Sequence, residues 1–312
     1  MKKVLYRSFG GLDVLELAEV AVPEPGPREV RVRVKAAAIN PVDWKMREGQ
    51  VKFLSGWRFP QGQGLEFAGI VDRVGPRVTD YAVGDAVFGA GTDCLAEFAI
   101  AKVRSIAKKP APVSFEVAAT IPVVGSTAAS LFTRAAIGPG TTVLINGATG
   151  GIGMFATQMA VQRGATVTAV ASHKAAALVS RWGVARAVDY RTTNVLHERQ
   201  RYDVIVELSD TLSFRKAKAM LKSGGTFVAS LPNPAEFVPG LLGNLVSTRK
   251  YALMGMRART AVLESVVGDV AAGRIEVVVG TTFPLEAFRD AYAQAAARTI
   301  VGKVVFVMGA VA

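Results

Sequence analysis

The feature that most constrains this chain is a short apolar run, Val143-Leu144-Ile145-Asn146, that leads straight into Gly147-Ala148-Thr149-Gly150-Gly151-Ile152-Gly153 and then into a helical pattern from Ile152 to about Arg163. A strand, a glycine-rich turn and a helix in immediate succession form the opening of a βαβ unit. Gly150 and Gly153 stand at the second and third positions of G-x-G-x-x-G, with Ala148 at the first. Such a turn lets the backbone approach a pyrophosphate closely and aims N–H groups at it from a helix N-terminus. Ala148, Thr149, Gly150, Gly151, Ile152 and Gly153 are therefore the candidate contacts to a dinucleotide; a glycine turn without a ligand is the alternative.

The next strand, Thr166–Ala171, ends in Ser172-His173-Lys174. A site for NAD places Asp or Glu about 20 residues after the glycines to bond the ribose 2′-OH. Here Ser172 stands where that acid would be, and no Asp or Glu occurs from Ala165 to Val188. A carboxylate would repel a 2′-phosphate, whereas Ser172 can donate a hydrogen bond and Lys174 supplies positive charge. The pattern favours NADPH. His173 reads as a loop residue near the adenosine.

Around this unit the pattern changes twice. Val30–Lys35 alternates apolar and charged residues, as a half-buried strand does. Short strands are expected at Ala68–Val74, Ala86–Phe88 and Glu97–Ala101, separated by Gly- and Pro-containing turns, a spacing that suggests a small barrel. The middle alternates strand and helix, with strands at Ala187–Asp189, Val204–Glu207 and Thr226–Ser230 and a helix at Leu212–Leu221, which implies a parallel sheet. The tail reads like the first third again, with helix Ala261–Ala272, strand Val277–Phe283, helix Leu285–Ala297 and strand Lys303–Met308, and is expected to pack back on the N-terminal β domain. At 312 residues the chain has room for two domains.

Composition closes off several functions. One cysteine, Cys94, allows no internal disulfide and no multi-thiolate zinc site, and there are two histidines, His173 and His197. Arg7 interrupts the N-terminal apolar run, and the longest uncharged stretch, Ala135–Gln162, is broken by glycines and a proline, so neither a signal peptide nor a membrane span is expected. A soluble, cytoplasmic protein is expected. The net charge is +12, but the cations are scattered in short pairs, which argues against a nucleic-acid role.

With these residues in hand, the chain resembles the zinc-free medium-chain dehydrogenase/reductases of the quinone oxidoreductase group. The resemblance spans nearly the whole length. It rests on Phe9–Leu17, Ala38-Ile39-Asn40-Pro41-Val42-Asp43-Trp44-Lys45, Gly64–Val71, Val83–Val87, Ser126-Thr127-Ala128, the glycine turn and Gly302-Lys303-Val304-Val305. It implies an α/β protein with a GroES-like β-barrel domain, residues 1–120 and 257–312, and a doubly wound Rossmann domain with a parallel sheet, residues 121–256. The active cleft should lie where the two meet. It further implies a homodimer formed by edge-to-edge pairing of the Rossmann sheets, here near Tyr251–Met256, and a pocket lined by Pro232–Met256.

Site roles follow from the same resemblance. The metal-binding Cys and His of zinc-dependent alcohol dehydrogenases correspond to Asn40 and Leu65, and the four-Cys lobe is missing, so no metal site is expected. Without a Lewis acid, simple alcohol oxidation is disfavoured. A quinone or an α,β-unsaturated carbonyl remains as hydride acceptor. Thr127 matches a threonine near the nicotinamide, Tyr190 a tyrosine beside the 2′-phosphate, and Gly302 and Lys303 a segment close to the cofactor. Asn40 and Lys45 match cleft positions and are the candidate catalytic residues. Asn40 and Asp43 could instead simply cap a helix. Lys45 could hold the substrate oxygen, hold the nicotinamide ribose, or lie on the surface. The alternatives to an NADPH-dependent quinone or enone oxidoreductase are a stand-alone enoyl-thioester reductase and a non-enzymatic NADPH-binding or RNA-binding protein.

Overall fold

The computed structural model describes residues 1–52, 56–230, 234–297 and 299–309. The chain divides into two compact units. One comprises Met1–Ser126, Ala258–Gly273 and Val277–Ala312; the other comprises Thr127–Arg257 and Arg274–Glu276.

The first unit is built on β structure. Strands β1 (Lys2–Tyr6) and β2 (Leu15–Glu19) pair antiparallel, with β4 (Gln61–Gly62) on the other side of β1. β3 (Glu29–Ala38) pairs with β5 (Glu66–Val74) and with β7 (Phe98–Lys102), and β5 continues to β6 (Ala86–Ala90) and β8 (Ile106–Lys108). The expected alternation along β3 holds: Val30, Val32 and Val34 are buried, while Arg31, Arg33 and Lys35 are not. Each fully buried valine contributes about 1.5–3 kcal/mol. They pack with Val4, Tyr6, Phe67, Val87 and Ile106. Helices α1 (Pro41–Arg47) and α2 (Phe115–Ala119) belong here, and α3 (Val124–Leu131) carries the boundary between the units.

The second unit is a six-stranded, wholly parallel sheet in the order β11-β10-β9-β12-β13-β14. Its strands are β9 (Thr142–Asn146), β10 (Thr166–Ala171), β11 (Arg186–Asp189), β12 (Tyr202–Glu207), β13 (Leu221–Ala229) and β14 (Lys250–Leu253). In chain order this is 3-2-1-4-5-6, the doubly wound arrangement. Val143, Leu144 and Ile145 are fully buried, as a central parallel strand covered on both faces requires. Helices α4 (Gly151–Gln162), α5 (Ala176–Arg181), α6 (Phe214–Ala217) and α7 (Pro234–Gly243) connect the strands. The chain then returns to the first unit through α8 (Thr260–Ala271), β15 (Val279–Pro284), α9 (Phe288–Ala296) and β16 (Lys303–Val307), and β16 joins β3 antiparallel.

One element differs from expectation. The helix anticipated at Leu212–Leu221 is α only over Phe214–Ala217, followed by a 3-10 turn at Lys218–Met220. Leu221 instead opens β13, paired with Tyr202 and fully buried. Sheet pairing and burial outweigh the helical propensity of a short segment. The N-terminal strands β1 and β2 and helices α1, α2, α3 and α7 add to the elements expected. No helix among the described residues is long and apolar enough to cross a membrane.

Candidate active site and dinucleotide site

In the first unit, β3 ends at Ala38 and Asn40 takes the N-cap of α1, with Pro41 in the first helical turn. The capping bond comes from Asp43, whose Oδ2 accepts the Asn40 backbone N–H at 2.7 Å. The Asn40 side chain is thereby left for other partners. Its Nδ2 donates to Glu66 Oε1 at 2.7 Å and its Oδ1 accepts from Lys303 Nζ at 2.6 Å. Only this orientation of the amide satisfies a carboxylate and an ammonium together.

Glu66 is fully buried and Lys303 is 4% exposed. Their ion pair is 3.0 Å long. Lys303 Nζ also donates to the Ile39 carbonyl at 2.6 Å, so its three protons meet three acceptors. Glu66 Oε2 accepts the Val123 N–H at 2.7 Å, which ties the chain one residue before α3 to β5. A buried pair is retained without penalty only when its remaining valences are met in this way. The Lys303 side chain, expected near the cofactor, thus serves as the cation of this cluster; its backbone N–H is also engaged, by the Val278 carbonyl. The preceding Gly302 adopts φ +91°, and a Cβ there would stand 2.3 Å from the Val278 carbonyl oxygen, so only glycine fits.

Asp43 and Arg47, four residues apart on α1, share its buried face. Burial pushes the Asp43 carboxyl up to about 7, against the opposing effects of the Asn40 N–H and the Lys303 charge. Its Oδ1 has no hydrogen-bond partner, nor has Arg47 Nη1. Arg47 lies over the Tyr292 ring, and the Tyr292 hydroxyl donates to Gln63 Oε1 at 2.7 Å. Lys45 sits between them in sequence, half-buried. Leu65 is half-buried, and Cys94 is buried with its thiol pushed up by desolvation. Among the described residues no group of three His, Cys, Asp or Glu side chains could hold a metal ion.

The second unit carries the glycine turn. Gly147 has φ +86°, and the N–H groups of Gly147 and Ala148 both donate to the Val170 carbonyl, which clamps the turn to β10. A Cβ at Gly153 would lie 2.1 Å from the Gly147 oxygen, so any side chain there would push α4 off the turn. At Gly150, the N-cap of α4, a Cβ would meet only the Gly147 oxygen at 3.5 Å. No side chain caps this helix and no acid occupies its first turn. The first N–H groups of a helix lack intrahelical partners, and here they border the space that a Gly150 side chain would fill. That arrangement fits a pyrophosphate, which the backbone N–H groups of Thr149, Gly151 and Ile152 would hold, while the Gly150 N–H is taken by the Gly147 carbonyl at 3.2 Å.

Ser172 follows the end of β10 and Tyr190 the end of β11, side by side: Ala171 pairs with Asp189, and the Tyr190 N–H donates to the Ala171 carbonyl. Lys174 is exposed in the turn after Ser172, and Tyr190 is 56% exposed. Arg191, which sequence reasoning missed, stacks toward the Tyr190 ring at 5.9 Å and adds a second cation. Its position directly after Tyr190 was the available signal. Thr127 is 6% exposed in α3. Of the pocket segment Pro232–Met256, Pro232 and Asn233 lie outside the described residues; the remainder contains α7 and the edge strand β14.

A further cluster escaped the sequence reading. Asn146 and Glu207 end the neighbouring central strands β9 and β12, where the strand order reverses. Asn146 Nδ2 donates to Glu207 Oε2 at 2.7 Å, and the carboxylate also accepts the Ser209 and Leu212 N–H groups at 2.7 and 3.1 Å. It thereby holds a turn in which Asp210 has φ +59°. Ligands of open α/β sheets bind beyond this point.

Comparison with known proteins matches both units. Residues 26–172 fit the alcohol dehydrogenase GroES-like domain, and residues 182–306 fit a zinc-binding dehydrogenase domain. The chain is 28% identical over 321 residues to the chloroplast envelope quinone oxidoreductase homolog of Arabidopsis thaliana, covering 98% of each. It is 33% identical over 242 residues to the NADPH-dependent alkenal/one oxidoreductase of the same plant, covering 73% of this chain and 62% of that protein. The solved quinone oxidoreductase of Coxiella burnetii superposes with a TM-score of 0.91 at 26% identity, covering 98% of this chain and 99% of the other. The β unit is thus GroES-like and the parallel unit a Rossmann domain, and the chain belongs to the medium-chain dehydrogenase/reductases, in their quinone oxidoreductase group.

Proposed function

We propose that this protein, an NAD(P)H-dependent oxidoreductase, uses NADPH to reduce a quinone or an α,β-unsaturated carbonyl and does so without zinc. The observation that carries the metal-free reading is the Lys303 ammonium, bonded to both Asn40 and Glu66. An amide and a leucine, Asn40 and Leu65, replace the two zinc-ligand types, and a fixed positive charge beside the remaining carboxylate opposes a dication. The reduction then relies on an acceptor that is already electrophilic.

NADPH supplies the hydride when bound. The glycine turn holds its pyrophosphate through backbone N–H groups, and Ser172, Lys174, Tyr190 and Arg191 form the setting for a 2′-phosphate. The absence of any acid between Ala165 and Val188 supports NADPH over NADH. Thr127 orients the nicotinamide. Lys45 stabilises the negative charge that develops on the acceptor oxygen, and Asn40, locked by Glu66 and Lys303, fixes the approach beside it. A homodimer through the edge of β14 fits a strand that pairs, among the described residues, on the β13 side alone.

The test is turnover of NADPH with a simple naphthoquinone and with a small enone, before and after exhaustive chelation. Equal rates in both conditions are expected. Loss of activity and of stoichiometric zinc on chelation would overturn the metal-free reading, and turnover confined to acyl-thioesters would replace the substrate class.

A further inference from the structure

We propose a ribose subsite at the ends of β9 and β12, in which Asn146 and Thr211 take the hydroxyls of the nicotinamide-side ribose and Glu207 positions them both. The inference rests on the dinucleotide reading above and adds residues to it.

The cluster is assembled by the chain itself. Glu207 is 5% exposed, and its hydrogen-bond partners among the described residues are N–H and O–H donors alone. Besides the backbone bonds already described, the Ser209 hydroxyl donates to Glu207 Oε1 at 2.9 Å. Thr211 Oγ1 lies 2.8 Å from Ser209 Oγ and 2.8 Å from Asn146 Nδ2, which donates to it. The loop that carries these hydroxyls is fixed to the glycine turn. The Leu208 N–H donates to the Asn146 carbonyl at 3.0 Å, and a Cβ at Gly147 would stand 3.4 Å from Ser209 Cβ.

What this network leaves over is acceptors. Nδ2 of Asn146 faces the carboxylate and the hydroxyls, which sets the amide, since the reverse orientation would place oxygen against oxygen. Asn146 is 5% exposed, yet its Oδ1 accepts no hydrogen bond among the described residues and keeps a narrow opening to solvent. An amide oxygen so confined calls for a donor. Thr211 is exposed beside it. Acceptor oxygens backed by a buried negative charge repel a phosphate and favour a hydroxyl.

The ribose is the part of a dinucleotide that offers paired hydroxyls, and strand order chooses which ribose. Ser172, Lys174 and Tyr190 follow β10 and β11 on one side of β9, and β12 lies on the other. A dinucleotide lies across the point where the order reverses, so the half without the 2′-phosphate falls to β12.

The experiment is titration of wild type, Glu207→Gln and Thr211→Val with NADPH, and separately with adenosine 2′,5′-bisphosphate, which lacks the nicotinamide ribose. NADPH binding is expected to weaken about tenfold in Glu207→Gln and about fivefold in Thr211→Val, with bisphosphate binding unchanged in both. Thr211→Val alters an exposed side chain and carries the test by itself should Glu207→Gln fail to fold. Equal weakening of both ligands would make the cluster a mere support of the glycine turn and would overturn the proposal. Unchanged NADPH binding in Thr211→Val would overturn it as well. A wild type that binds neither ligand would instead remove the dinucleotide reading, and the subsite with it.

Discussion

The Asn40 cluster and the dinucleotide site perform opposite kinds of construction. Around Asn40 the work is done by buried side chains that satisfy one another: Glu66 accepts three bonds, Lys303 donates three, and Asn40 joins them. At the glycine turn it is done by backbone, with side chains removed so that the start of α4 can be approached closely, and by partly or fully exposed groups such as Ser172, Lys174 and Tyr190. The first arrangement is part of the fold itself. The second leaves the fold nearly indifferent to the residues that would touch the ligand. Mutations should therefore register in stability at one site and in affinity at the other.

The sharpest way to break that contrast is Glu66→Ala, which leaves Lys303 buried without its carboxylate. We expect a loss of about 3–5 kcal/mol in unfolding free energy, read by chemical denaturation. The double variant Glu66→Leu/Lys303→Met should recover only part of it, because the buried Asn40 amide and Val123 N–H lose their partners as well. A variant as stable as wild type would show that the pair is not integral to the fold.

Asp43 provides the next effect. Its folded-state pKa is raised, by burial first, from 3.8 to about 7. A carboxyl that holds its proton more tightly when folded contributes stability below pH 4 and loses it as pH rises toward 7. The rise corresponds to ~4 kcal/mol across that window. Asp43→Asn should flatten the decline, measured as unfolding free energy against pH. A slope unchanged by the substitution would assign the pH dependence to other groups.

Lys45→Ala should lower the turnover number about 10²-fold, ~2.7 kcal/mol, with little change in NADPH affinity or in melting temperature. If NADPH binding alone weakens, Lys45 holds the ribose; if nothing changes, it is a surface lysine. The smallest effect belongs to the exposed side of the dinucleotide site. Wild type should bind NADPH at least tenfold more tightly than NADH, about 1.4 kcal/mol, and Ser172→Asp should erase or reverse that preference without affecting stability. Equal dissociation constants for the two cofactors in the wild-type protein would remove the basis for this prediction.

The sequence by itself determined the local periodicities and the backbone requirements. Alternation along Val30–Lys35 marked β3, and the strand–glycine–helix succession marked β9 and α4, because a period of two and a close approach that excludes Cβ are local properties of the chain. Tertiary structure alone decided the pairings. Nothing in the spacing joins Glu66 to a lysine 237 residues later, or Asn146 to Glu207. It also decided the end of the Leu212–Leu221 helix, where pairing with Tyr202 drew Leu221 into the sheet. A buried charge chooses its partner by the geometry of the space it shares, and that space exists only once distant strands have come together.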